Sequence, residues 1–146
     1  MKLIIPLILF ILFNVSCSKH EKICIKIEHI GIEDKPISHL VISNEPIDTI
    51  KPHITYCIVS IQTMSLLKEN IMSYSFAIKN QRDKYFDFGS FVIELSIDNK
   101  LSKSFLLNNK KESMAFFEKF IEILKKNKSE EQIVQKFNYL LGRLKD

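Results

Sequence analysis

The side chains best suited to chemistry in this chain are four histidines, three cysteines and a few acidic pairs. The histidines stand at His20, His29, His39 and His53. No two are three or four residues apart, the spacing that would set two imidazoles on one helix face as metal ligands, and H-E-x-x-H does not occur. His29 and His39 flank a turn that holds Glu33 and Asp34. A weak metal site there is weighed against solvated side chains of an exposed turn, and the plain reading is preferred: no metal is assigned. Glu33–Asp34 and Glu130–Glu131 imitate the paired carboxylates of a hydrolase, but the second pair opens a predicted helix, where negative charge is favourable in any case.

Other catalytic signatures are missing. Gly31, Gly89 and Gly142 are dispersed, whereas loops that cradle phosphate need several glycines close together. There is no G-x-S-x-G, and Asp87-Phe88-Gly89 lacks the catalytic loop that gives such a triplet meaning in a kinase. No cofactor and no enzymatic activity are expected. Tyr85, Phe86, Phe88 and Phe91 crowd the entry to one strand; they are a candidate aromatic binding patch, with core packing the competing account.

The cysteines are Cys17, Cys24 and Cys57. Cys24 and Cys57 are a possible disulfide, to be weighed against two separate thiols, since a bridge needs Cα atoms within about 7 Å. No C-x-x-C occurs to support thioredoxin-like redox chemistry.

Cys17 has a different setting. After Met1-Lys2, the run Leu3–Phe13 carries no charge, and then Asn14, Val15 and Ser16 lead to Cys17 and the polar Ser18, Lys19, His20, Glu21, Lys22. The apolar run is about 16 Å long as a helix, short of the roughly 30 Å hydrocarbon core but suited to the core of a signal peptide. This stretch resembles a bacterial lipoprotein leader of the Bacteroidota type, in which a small residue precedes an obligatory cysteine. The resemblance covers residues 1–17 only. It implies cleavage between Ser16 and Cys17, a diacylglyceryl group on the Cys17 thiol, and Cys17 as the mature first residue. Asn14 stands where such leaders usually carry an aliphatic residue. Ser18 is not the aspartate that retains some lipoproteins in an inner membrane, and the stretch after Cys17 lacks an acidic surface-export tag. The implied address is therefore the periplasmic face of the outer membrane. An ordinary secretory leader, releasing a secreted or periplasmic domain, is the alternative.

The elements are read from periodicity. Residues 1–16 are the leader, 17–21 the lipidated cysteine and its tether, and 22–146 a single domain. Without Lys2, 20 basic side chains face 17 acidic ones, net +3. Arginine occurs only at Arg82 and Arg143, so the clustered basic surface of a nucleic-acid binder is absent. Ile23, Ile25 and Ile27 alternate with Cys24, Lys26 and Glu28, predicting a half-buried strand. Further strands are predicted at 38–43, 54–59, 74–79, 91–97 and 101–107, with a helix at about 61–72. Facing Ile97 with Leu101 and Ile93 with Phe105 requires a three-residue turn, Asp98–Lys100, with Lys100 in the left-handed position. Asn109–Glu112 and Ser129–Gln132 have capping-box spacing before two amphipathic helices. The expected fold is α+β: an antiparallel sheet of about six strands, a short middle helix, and a C-terminal αα-hairpin packed on one face. The expected role is a membrane-anchored envelope lipoprotein with a non-catalytic binding or structural domain and a possible protein partner. The alternative is an inhibitor or immunity-type protein acting on an envelope enzyme or toxin.

Overall fold

The structure is a computed structural model and describes residues 20–31, 36–48, 51–75, 89–127 and 131–145. Among them the chain forms β1 (Ile23–Ile30), β2 (Pro36–Ser43), β3 (Ile54–Ile58), α1 (Ile61–Ser73), β4 (Ser90–Ile97), β5 (Lys100–Leu107), α2 (Lys110–Lys126) and α3 (Glu131–Lys145). The period-two pattern of β1 places it at the centre of one sheet, ordered β3-β2-β1-β4-β5. Ile23, Ile25, Ile27 and His29 point to the buried side, with Leu40 and Ile42 of β2, Phe91, Ile93 and Leu95 of β4, and Phe105 and Leu107 of β5.

The fold is α+β as expected, but the described sheet has five strands and is mixed. β1 runs antiparallel to β2 and β4, and β4 to β5, while β3 lies parallel to β2. A tight hairpin after Ser43 would have made β3 antiparallel. The chain instead leaves β2 through a ten-residue segment, 44–53, that contains Pro46 and Pro52. Ten residues can reach about 33 Å, enough to return along the sheet before Ile54 pairs beside His39. Of the expected strand at 74–79, only Tyr74 and Ser75 are described, and they belong to no strand. Tyr74 is the C-cap of α1, with its N–H donating to the Ile71 carbonyl, and the rest of that stretch beyond Ser75 lies outside the described residues.

The β4–β5 hairpin keeps the expected core register, Ile93 opposite Phe105, by a different route. The turn has two residues, Asp98 (φ 49°) and Asn99 (φ 63°), not three. Asp and Asn tolerate the left-handed region better than Lys does, and two such residues give the twist that suits a two-residue hairpin. A bulge then absorbs the register error: Ser96 faces Leu101 and Leu95 faces Lys103, so Ser102 is the extra residue. One consequence is that Leu101 turns to the side of Ser96, away from the core, and is 63% exposed.

All three helices serve the buried face. Ser60 caps α1 by accepting from the Thr63 N–H, and Met64, Leu67 and Ile71 face the core. At the other end of α1, the Lys103 ammonium donates to the Met72 and Tyr74 carbonyls at 2.9 and 2.7 Å, supplying donors to carbonyls that lack a helical partner. Asn109 caps α2 by accepting from the Glu112 N–H, the forward half of the expected capping box. Its return half is not formed at Glu112 Oε1, which is buried with no hydrogen-bond partner among the described residues. Ser129, the cap expected for α3, lies outside them. Phe116, Phe117 and Phe120 from α2 meet Phe137 from α3 and the sheet residues Phe91 and Phe105 in one aromatic core. Phe117 sits edge-on to Phe91 at 4.8 Å, and Phe120 lies 5.2 Å from Phe137. No helix among the described residues is long and apolar enough to cross a membrane.

Candidate functional site: the open face of the sheet

Because the three described helices pack on one side, the alternate residues of each strand form a second face that they leave uncovered. Its middle is charged. Lys26 on β1 stands opposite Glu94 on β4, and Glu28 on β1 stands opposite His39 on β2. The Lys26 ammonium lies 3.2 Å from Glu28 Oε2 and 3.5 Å from Glu94 Oε2, and His39 Nε2 lies 2.9 Å from Glu28 Oε1. Four side chains from three strands thus make one network. Burial by itself would raise the Glu28 carboxyl; hydrogen bonds from Lys26 and His39, with the Lys26 charge, outweigh it and hold Glu28 below the usual carboxylate range. Lys26 shows the mirror effect. Burial works against its charge, but Glu28 and Glu94 prevail and raise it above an ordinary lysine.

Apolar and small side chains frame this network. Val41 and Val92 are half-buried beside it, and Leu106 on β5 is 39% exposed. The last row of the face runs from Ile58 on β3 across Ser43, Cys24 and Ser96 to Leu101 on β5. The Cys24 thiol there is raised, chiefly by burial and only partly offset by Lys22, so it holds its proton and is a poor nucleophile. The network pairs its acids with its bases internally, an arrangement suited to recognition by shape and charge.

The residues singled out from the sequence are scattered by this topology. His29 is not an exposed turn residue: it shares the parity of Ile23, Ile25 and Ile27, is buried, and stacks on Phe91 with ring centres 4.6 Å apart. His39 is on the opposite face, so the two do not converge. Among the described residues no three His, Cys, Asp or Glu side chains gather as metal ligands. Phe91 is fully buried in the aromatic core, which removes it from any surface patch. Tyr85, Phe86 and Phe88 lie outside the described residues, as do Ser16, Cys17, Glu33 and Asp34. The candidate bridge between Cys24 and Cys57 finds no geometry and is not made. Cys57 pairs with the inward-facing Ile42 and packs against the core, whereas Cys24 lies on the open face. Their strands are separated by β2, hence about 10 Å apart at two interstrand spacings.

Sequence reasoning missed Lys26, Glu28, His39 and Glu94 as a group. The alternation of β1 exposes Lys26 and Glu28 together, but nothing local says that His39 and Glu94 will flank them. It also missed Lys136 on α3. That ammonium donates to Thr55 Oγ1 on β3, and burial lowers its affinity for the proton, partly offset by Cys57. Among the described residues there is also a groove of about 420 Å³ between α1 and α2, lined by Leu66, Asn70, Ser73, Ile123 and Lys126. Compared with known proteins, the chain matches no family model, no curated protein and no solved structure.

Proposed function

We propose that this chain is a small envelope lipoprotein, anchored through acyl chains on Cys17 at the periplasmic face of the outer membrane, whose domain binds a protein partner without catalysis. The observation that carries the binding role is the one-sided coverage of the sheet: three helices bury one face, and the other presents the Lys26–Glu28–His39–Glu94 network framed by Val41, Val92 and Leu106. A charged centre with apolar surroundings suits a protein surface, where buried polar groups fix register and apolar contact contributes affinity. The leader resemblance supports the anchor. Two or three acyl chains on one cysteine hold firmly, since each buried methylene contributes about 0.8 kcal/mol and a single myristoyl chain is marginal.

The test of the anchor is the intact mass of the mature protein from its native host, beside Cys17→Ala. A mass of residues 17–146 plus acyl chains, lost in the variant, is the expected result; an unacylated mass refutes it. For the binding role, saturable turnover of an envelope substrate by the purified domain would overturn the non-catalytic reading. Stoichiometric co-purification with one enzyme or toxin would narrow the role to an inhibitor or immunity protein. Loss of that partner on Glu94→Lys is the expected sign that the open face makes the contact.

A further inference from the structure

The point at which the tether enters the domain is held from several sides. The Lys22 N–H donates to Asp98 Oδ1, the Asp98 N–H donates to the Lys22 carbonyl, and Asn44 donates to the Glu21 carbonyl while accepting from the Ile23 N–H. Glu21 also pairs with Lys68 on α1. The chain therefore leaves the sheet at a fixed place, at the end where β1 begins, β3 finishes and the β4–β5 turn closes.

That same end carries unusual apolar exposure. Ile58 is 49% exposed, Ile61 51% and Leu101 63%. Ile58 and Leu101 terminate the last row of the open face at its two edges, and Ile61 begins α1 three residues after Ile58. Leu101 is there because of the bulge at Ser102, which turns it out of the core register. The bulge that keeps Ile93 opposite Phe105 thus leaves a large aliphatic side chain outside the core at the start of β5.

We infer that this pole, with Ile58, Ile61 and Leu101 as its contacts, rests on the lipid surface and sets the orientation of the domain on the membrane. The inference deepens the reading of Cys17 as the anchor and rests on it. Only Ser18 and Lys19 separate Cys17 from His20, and the three Cα steps reach at most about 10 Å. A domain of this size is about 35 Å across. A tether that short cannot hold the far end of the domain at the bilayer, and the end it does hold is the one with the exposed aliphatic residues. Among the described residues the charges at this pole balance, Lys22, Lys68 and Lys100 against Glu21, Glu45 and Asp98, so the contact is apolar and insensitive to salt, unlike the adsorption of a polybasic segment. The pole also leaves the centre of the open face standing clear of the bilayer, available to a partner.

The chain has no tryptophan, so a single introduced one reports cleanly. Acylated protein carrying Leu101→Trp or Ile58→Trp is placed in vesicles of phosphatidylethanolamine and phosphatidylglycerol containing acyl-chain-brominated lipid. Leu106→Trp is the comparison: it lies on the same face but near the opposite end, opposite Val92. Both pole tryptophans are expected to lose most of their emission to the brominated chains, at low and high salt alike, while Leu106→Trp keeps its emission. Equal quenching at Leu101 and Leu106 on demonstrably acylated protein overturns the orientation and leaves the anchor standing. A blue shift at Leu101 without quenching means that protein, such as a second copy, covers the pole, and also overturns it. A mass without acyl chains, read before any fluorescence, refutes the anchor itself and the orientation with it.

Discussion

Replacing Glu28 by Gln tests the open-face network directly. Glu28 takes Lys26 on one oxygen at 3.2 Å and His39 on the other at 2.9 Å, and its side chain is 22% exposed. An exposed ion pair contributes about 0.2–1 kcal/mol, and a hydrogen bond to a charged group in a drier site about 1.5–3. Lys26 and His39 are themselves partly exposed, which puts the two contacts nearer the lower range. The amide retains the shape and some hydrogen bonding, while Lys26 keeps only Glu94 at 3.5 Å. A loss of about 1–2 kcal/mol at pH 7 is expected in urea unfolding followed by circular dichroism. The pH dependence has a definite sign. Glu28 is held below its unfolded value of 4.5, so its contribution is complete above about pH 5 and disappears as the pH falls through the lowered folded value. The gap between wild type and Glu28→Gln should therefore be full at pH 7 and close on acidification below pH 4. A gap that is absent at pH 7, or that widens in acid, refutes the network as a stabilising unit.

Other outcomes follow from the packing and the backbone. Phe117→Ala removes a fully buried ring that touches Phe91, Phe116 and Phe137 and should cost about 3–5 kcal/mol in the same unfolding measurement. Gly89→Ala should cost more than about 1–3 kcal/mol, because Gly89 has φ 93° and an added Cβ would lie 2.1 Å from the Ile30 carbonyl oxygen. Asn99→Gly should raise stability by a few tenths to about 1 kcal/mol, since glycine suits the left-handed second position of this turn. In an ultraviolet titration Tyr74 should ionise late, being pushed up to about 12 chiefly by burial and then by the Glu112 charge. The unfolded chain gives up that proton near pH 10, so Tyr74 makes stability fall as the pH rises from 10 to 12.

Much of the architecture was legible because periodicity is a local property. The alternation of β1, the capping asparagine of α2 and the amphipathic pattern that follows it each lie within a dozen or so residues, and β2, β3, α1, β4 and β5 begin and end within two residues of their expected places. The hairpin shows the boundary of such reasoning. The pairing of Ile93 with Phe105 followed from matching apolar faces, but a three-residue turn and a two-residue turn plus a bulge satisfy that match equally well. What separated them was the left-handed tolerance of Asp98 and Asn99 against that of Lys100. His29 was misread although its parity with Ile27 was visible, since its polar character suggested a turn and stacking on Phe91 needs a partner 62 residues away.

The order of the amino acids alone pointed to the α+β class, the inward face of the central strand, the amphipathic helices, and the resemblance of residues 1–17 to a lipoprotein leader. These depend on residue type and short spacing, which act before the chain folds. The parallel pairing of β3 with β2, the placement of Cys24 and Cys57 on opposite faces, and the joining of Lys26, Glu28, His39 and Glu94 in one network arise only in the folded chain. The exposure of Ile58, Ile61 and Leu101 at the end of the sheet where β1 begins likewise arises only in the folded chain. Those outcomes depend on which strands become neighbours and in what register. That choice is set by burying the whole apolar face at once, and no single stretch of the chain carries it.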